Sequence, residues 1–440
     1  MSALLIALGC ARALHAQDGT MDAWAQWTLA PKVWKGQTVA APEPTPRPSG
    51  EFVRLDSLML PLHVHSARRS QRQATALLQM AEEAYVALRE RNWPLPPPDG
   101  GYGNTLGLDL YAAEHVCEGA CARVDAPLVW TDFDGAQTYA VVDAQLPPAA
   151  LRGCVESAIA QAGLRAVDPA EAESWVRASG DLAAWLISGD LGCDDDFVAA
   201  QRTPELGVLD DDPRSAGAGG LLLAVLAERN DGGHGNFVRA LWESTRQRSA
   251  GLVAIDRLRS SPDLWEVLSQ TLAQKQVSLH DELAEFAVAR YFAGAATRRA
   301  HAPYRVLAAL PSDASVPLQA DLALADLPRH LHDEQPLDSL GSAYIRVRTD
   351  HEAGQLQVWL RGELGPRWAL SAVRLAADGG ELGRTVAPPR KAASEYLPIV
   401  LERETASVLL VISDLPDATP DADVPKPAPH GFELIVAHAP

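Results

Sequence analysis

The chain has 440 residues, 47% hydrophobic and 22% charged, the make-up of an ordinary globular protein with material for two or three domains. Its formal net charge is −19, spread along the chain, and its arginines are scattered. Without a basic stripe to neutralise phosphates, nucleic acid is not expected as a partner.

Residues 1–16, "MSALLIALGCARALHA", read as an export signal with an apolar run and small residues before Gln17. The "ALGC" within it also fits a lipoprotein signal, which would lipidate Cys10 and give the chain its only hold on a membrane. No later stretch reaches the ~20 apolar residues that cross a bilayer. Residues 17–50 include "APEPTPRPSG", a composition that predicts an extended, mobile spacer.

An α/β subdomain is expected over 51–150. "ATALLQMAEEAYVALRER" places Leu77, Leu78, Ala81, Tyr85 and Leu88 at helical spacing and stops at "NWPLPPPDGG", while "GLDLYAAE" and "TYAVVDAQL" read as strands. A helical subdomain follows over 151–301. "PAALRGCVESAIAQAGL" is one helix. "DPAEAESWVRASGDLAAWLIS" is another, expected to start at Asp168 as cap with Pro169 in its first turn. "AGAGGLLLAVLAERN", "NFVRALWESTRQR", "SPDLWEVLSQTLAQ" and "LHDELAEFAVARYFAG" complete it. Over 302–440 the period changes to two. "SAYIRVRT", "GQLQVWLRGEL", "RWALSAVRL", "EYLPIVLE", "SVLLVISDL" and "GFELIVAHA" predict an antiparallel β-sandwich.

Apart from Cys10, four cysteines remain: Cys117, Cys121, Cys154 and Cys193. An even number in an exported chain implies two disulfides, with three connectivities open. The pairing Cys117–Cys121 with Cys154–Cys193 is the one expected.

Motifs for chemistry are sparse. A helical zinc site needs two histidines four apart with a glutamate between them, and none of the 12 histidines forms such a pair. His63/His65 and His330/His332 are two apart, which on a strand puts both rings on one face; as isolated pairs they read as surface histidines. Neither a G-x-S-x-G elbow nor a phosphate-binding glycine motif occurs. The acidic runs at 194–196, 210–212 and 421–423 lack the spacing of an EF-hand and read as solvated loops or caps.

The order of segments resembles secreted bacterial metallopeptidases of the gluzincin type. The likeness rests on "NWPLPPPDGG" before "LDLY", then "YAVVD", "SWVRASGDLAAWL", "AGAGGLLLAVLAERNDGGHGNFVRALWE" and "FAVARYFAG". It implies an α/β half, a helix bearing His-Glu-x-x-His, a helix supplying a glutamate ligand, and a C-terminal β-sandwich. At the first metal helix this chain has "CVESAIAQ": Glu156 stands where the catalytic glutamate would, with Val155 and Ile159 in the histidine positions. At the ligand helix it reads "WVRASGDLAAW", where only Asp181 is a carboxylate.

The fold expected is therefore α+β and multidomain: an α/β plus helical metallopeptidase-like region followed by an antiparallel β-sandwich. The function expected is non-catalytic, in binding or structure, at the cell envelope or outside the cell, for a protein, peptide or glycan partner. No cofactor is expected, with zinc and calcium left open. The alternatives are an active secreted hydrolase drawing on His63, His65, His115, Glu156 and Asp181, and a carbohydrate-binding sandwich presenting Trp359 and Trp368.

Overall fold

A computed structural model describes residues 38–40, 43–67, 71–114, 116, 119–127, 133–193, 196–208, 216–246, 257–259, 261–333, 335–390, 394–420 and 427–439. The chain divides into two compact units. The first comprises Met1–Asp194 with His234–Leu264, and the second Asp195–Gly233 with Trp265–Pro440. The helical stretch 151–301 is thus shared between two units.

The first unit opens with β1 (Thr38–Ala40), then the antiparallel hairpin β2 (Phe52–Asp56) and β3 (Leu62–Ala67). Helix α1 (Gln71–Glu90) buries Ala74, Leu77, Ala81, Ala84, Tyr85 and Leu88, a stripe at three- and four-residue spacing. Each large side chain in that stripe contributes about 2 kcal/mol by leaving water. The helix stops where Asn92 turns to a φ of 55° and Trp93 N–H bonds back to Leu88 O, just before Pro94. Strands β4 (Leu108–Ala113), β5 (Ala120–Pro127) and β6 (Ala136–Asp143) complete a sheet of order β2-β3-β4-β6-β5. Its three central strands run parallel, and β5 pairs antiparallel at the edge. β4 and β6 are covered on both faces, which is why their sequences are almost continuously apolar.

Helix α2 (Pro148–Val167) covers one face of this sheet; Thr138 of β6 donates its hydroxyl to the carbonyl of Ala162. It is buried along Gly153–Val167 because sheet, α1 and the next helix surround it. Gly163 permits the closest approach, since a Cβ there would fall 2.1 Å from the carbonyl oxygen of Pro94. α3 (Glu173–Ser188) lies along α2 and ends at Gly189, whose φ of 80° suits the left-handed cap. Asp168 does not start this helix. It ends α2, its N–H bonding to Leu164 O, while its carboxylate accepts Ala170 N–H in the turn to α3.

The second unit takes α4 (Asp196–Arg202) and α5 (Ala216–Asp231). The chain returns to the first unit for α6 (Asn236–Thr245) and β7 (Arg257–Arg259), which pairs with β1. It then runs through α7 (Leu264–Gln274), α8 (Leu279–Tyr291) and α9 (Arg305–Ala309) to two sheets. These are built from β8 (Ala320–Ala323), β9 (Arg329–His332), β10 (Ser342–Arg348), β11 (Gly354–Gly362) and β12 (Arg367–Leu375). β13 (Glu381–Arg390), β14 (Ser394–Leu401), β15 (Ser407–Leu415) and β16 (Phe432–Ala439) complete them.

The sheets have orders β13-β12-β15-β10-β8 and β14-β11-β16-β9. All neighbours are antiparallel except β8, which runs parallel to β10, so the C-terminal region is not the purely antiparallel arrangement its sequence predicts. One core joins the two sheets: Leu356, Val358, Ile399 and Leu434 from the four-stranded sheet meet Ile345, Leu370, Leu410 and Ile412 from the five-stranded one. The five-stranded sheet is packed on its other face too, where Tyr344, Val373, Leu409 and Val411 meet Val288 and Phe292. The outer face of the four-stranded sheet is left to solvent, with Trp359, Tyr396, Val400 and Ile435 exposed. The chain is an α+β protein with a C-terminal sheet region.

Candidate functional site

Glu156 and Asp181, the two carboxylates singled out in the sequence, both lie in the α2–α3 layer, where each meets a hydroxyl of the other helix. Glu156 is buried, and its Oε2 accepts the Ser188 hydroxyl at 2.6 Å. Desolvation pushes its carboxyl up to about 7, with Asp190 adding repulsion and the Ser188 bond opposing. One turn on, Gln161 Nε2 donates to Ser157 Oγ at 3.0 Å, and Ser157 donates to Asp181 Oδ1 at 3.3 Å. Ser179 accepts the indole N–H of Trp242 from α6 at 2.9 Å. The helices touch at Gly180: a Cβ there would lie 2.6 Å from Ser157 Oγ, 2.7 Å from Gln161 Cγ and 3.0 Å from Ser157 O. Val155 and Ile159, one residue before and three after Glu156, are fully buried. The layer is a packed, hydrogen-bonded seam.

His63 and His65 lie on β3. His63 Nδ1 is 2.8 Å from Asp56 Oδ1; His65 stacks on Tyr111 with ring centroids 4.4 Å apart and bonds Asp109 Oδ1 through Nε2 at 2.7 Å. Tyr111 and Asp109 belong to the sheet face opposite the one that Thr138 presents to α2. The sheet therefore separates His65 from Glu156 and Asp181, and the ligand set of the hydrolase alternative is not assembled. His115 lies outside the described residues.

That opposite face carries a charged centre with no local signal in the sequence. Residues 43–49 of the Pro-rich segment cross it as a docked strap; residues 17–37 and 41–42 of the expected spacer lie outside the described residues. Thr45 N–H bonds Val124 O at 3.2 Å, and the Tyr139 hydroxyl donates to Pro46 O at 3.1 Å. Arg47 then enters a cradle of three aspartates. Its Nε and one terminal nitrogen form a fork on Asp125 at 2.9 and 2.6 Å; the same nitrogen reaches Asp99 at 2.9 Å, and the other donates to Asp109. Its guanidinium carbon sits 5.2 Å from the ring centroid of Tyr139. Asp125 is the extra residue of a β-bulge, for Val124 pairs with Thr138 and Ala126 with Gln137.

Electrostatics in the cradle are divided. Desolvation raises Asp99 to about 6 and also raises Asp125. It acts on Asp109 too, but hydrogen bonds from His65 and Arg47 outweigh it and hold that carboxyl below the usual range. Arg47 stays charged, its carboxylate partners overcoming its own desolvation.

Of the expected disulfides, Cys154–Cys193 is present and ties α2 to the segment after α3. Cys121 is also disulfide-bonded; Cys117, the partner expected from the sequence, lies outside the described residues, as does Cys10. The acidic runs at 210–212 and 421–423 likewise lie outside them, while Asp196 opens α4. The two tryptophans of the carbohydrate-binding alternative separate: Trp368 is core, 1% exposed, and Trp359 is 37% exposed on the outer sheet. Trp359 stands beside Tyr396 with centroids 5.2 Å apart. Among the described residues, no helix is long and apolar enough to cross a membrane.

No protein-family model matches the chain, and no curated protein matches its sequence. Solved structures resemble parts of it weakly. The pre-peptidase C-terminal domain of collagenase from Bacillus anthracis aligns at 8% identity, covering 28% of this chain and 97% of that one, with a TM-score of 0.17. A periplasmic inhibitor of g-type lysozyme from Aeromonas hydrophila aligns at 10% identity over 27% of this chain and 96% of its own, with a TM-score of 0.17. A mitogen from Yersinia pseudotuberculosis gives 13%, 25%, 86% and 0.17 on the same measures. Likenesses of this strength carry no functional argument and do not indicate a gluzincin peptidase.

Proposed function

We propose that this chain is an exported, non-catalytic relative of the gluzincin-type metallopeptidases, acting by binding or as a structural component at the cell envelope or beyond it. The observation that carries this reading is the seam at Gly180. In the resembled family the two corresponding helices hold a metal; here α2 meets α3 through Ser157 and Gln161 against Gly180. Glu156, in the place of the catalytic glutamate, is engaged by Ser188 within the same seam. The order of an α/β half, α2, α3 and a C-terminal sheet region fits the scaffold. The Cys154–Cys193 disulfide and the apolar N-terminal run support export. The test is hydrolysis of a mixed peptide library by untagged protein. No cleavage is expected, and cleavage abolished by Glu156→Gln would overturn the reading.

A second reading concerns the partner. The outer face of the four-stranded sheet aligns Tyr396, Trp359 and Ile435 in one cross-strand row, flanked by Gln357 and Arg361. Adjacent exposed aromatics with hydrogen-bonding neighbours suit the apolar face and hydroxyls of a sugar ring. Retention on immobilised polysaccharides, lost in Trp359→Ala, would support a glycan as the ligand; equal retention of the variant would remove that face from consideration.

A further inference from the structure

We infer that His330, His332 and Glu433 form a surface site for a divalent transition metal on the edge of the four-stranded sheet. β9 is the edge strand, and its alternation turns Leu331 inward to the core while His330 and His332 point out. Across the ladder His332 pairs with Glu433, and His330 with Ile435. Both imidazoles and the carboxylate therefore share one face. The ring centroids are 4.4 Å apart. His330 Nε2 lies 3.7 Å from Glu433 Oε2, and His332 Nδ1 lies 3.7 Å from Glu433 Oε1. One donor atom from each residue falls within 4.8 Å of the other two.

Those separations approach what a metal requires. With bonds of about 2.0–2.2 Å to zinc, donors in a tetrahedron stand roughly 3.3 Å apart. The three side chains are exposed on their outer sides, so small rotations of each reach that spacing without moving the backbone. Register also fixes the set: β9 and β16 are held by four consecutive pairs, from Glu433↔His332 to Val436↔Arg329. Two imidazoles and one carboxylate select Zn2+, Ni2+ or Cu2+ over Mg2+ or Ca2+, whose preference is for oxygen ligands. The competing charge is Arg361, 4.0 Å from Glu433 Oε2; its side chain is 76% exposed and is free to swing into water when a cation arrives. Three protein ligands leave a fourth position for water or for a donor from a bound partner.

The site belongs to the second unit and shares no residue with the α2–α3 seam of the first, so it does not depend on the reading of that seam. The experiment is a calorimetric titration of untagged, chelator-treated protein with ZnCl2, and with CuCl2 followed by electron paramagnetic resonance. Wild type is expected to bind one equivalent with nitrogen hyperfine structure on copper. His330→Ala, His332→Ala and Glu433→Gln should each weaken binding at least about tenfold, while His63→Ala should leave it unchanged. His330, His332 and Glu433 have exposed side chains and that of His63 is partly buried, so thermal unfolding of each variant provides the check on folding. No saturable binding by wild type, or binding undiminished in the His330→Ala/His332→Ala double variant, would overturn the inference.

Discussion

Glu156 on α2 and Ser188 at the end of α3 are joined by a 2.6 Å hydrogen bond inside the first unit, where burial raises the carboxyl to about 7. A raised carboxyl means that the folded protein holds a proton which the unfolded chain releases from 4.5 upward. Stability attributable to this group is therefore greatest in acid, falls between about pH 4.5 and 7, and is flat above that, by up to about 3 kcal/mol in all. Glu156→Gln keeps an acceptor for Ser188 and removes the titration. Urea midpoints at pH 5 and pH 8 should fall less in the variant than in wild type; equal falls would show that Glu156 is ionised in the fold throughout.

Gly180→Ala has an expected sign opposite to its helix propensity. On an exposed helix the change stabilises by about 1 kcal/mol. In the seam the added Cβ meets Ser157 and Gln161, and overpacking should cost about 1–3 kcal/mol. Ser157→Ala in the same chain removes one of the two side-chain obstacles and should recover part of the loss in thermal unfolding.

Arg47→Ala would strand three buried carboxylates. Breaking a buried ion pair from one side costs about 3–5 kcal/mol. Asp99 and Asp125, already raised, and Asp109, now without one of the bonds that depress it, should take up protons instead. The loss should be larger at pH 8 than at pH 5, because acid neutralises the stranded charges. Proteinase K should then cut within 43–49, which Arg47 holds to the sheet in wild type; unchanged cleavage would show that Thr45 and Tyr139 suffice to hold the strap.

Trp359 and Trp368 should behave as different kinds of residue. Trp368→Ala empties a core position and should cost about 3–5 kcal/mol. Trp359→Ala touches the solvent face and should move the melting temperature little.

Elements whose burial follows a simple period were legible from sequence. The spacing of Leu77, Ala81, Tyr85 and Leu88 yields α1, and the alternation of Leu356, Val358 and Leu360 yields β11. Among the strands that carry no such mark, two are hidden for identifiable physical reasons. β13 contains Pro388 and Pro389, which read as a break but are tolerated at a sheet edge. β5 is rich in alanine and carries Arg123 and Asp125, so its pattern reads as a loop until Arg47 supplies the countercharge. The Asp-Pro pair at 168–169 is a sound helix start locally, but Asp168 is drawn into a buried acidic group with Glu171, which fixes the turn before Glu173. The Arg47 cradle could not be found by spacing, because its aspartates stand 52, 62 and 78 residues from the arginine. Glu433 was hidden in the same way: only strand register brings it beside His332.

The interleaving of the two units sets an order on their assembly. The first unit is complete only after Leu264 has been made, by which time Asp195–Gly233 is already synthesised and must wait for Trp265–Pro440. Arg290 illustrates the wait. Its buried guanidinium bonds Gln201 Oε1 and Ala200 O, donors and acceptors that leave the ribosome 89 and 90 residues apart. Until α8 arrives, the last turn of α4 has only water for these groups. A fragment starting at residue 302 would keep Val316 and Leu318 but lose Val288 and Phe292, which cover Tyr344, Val373 and Val411 and are encoded upstream. The sheets are made after α8, and the surface they need is among the parts already waiting.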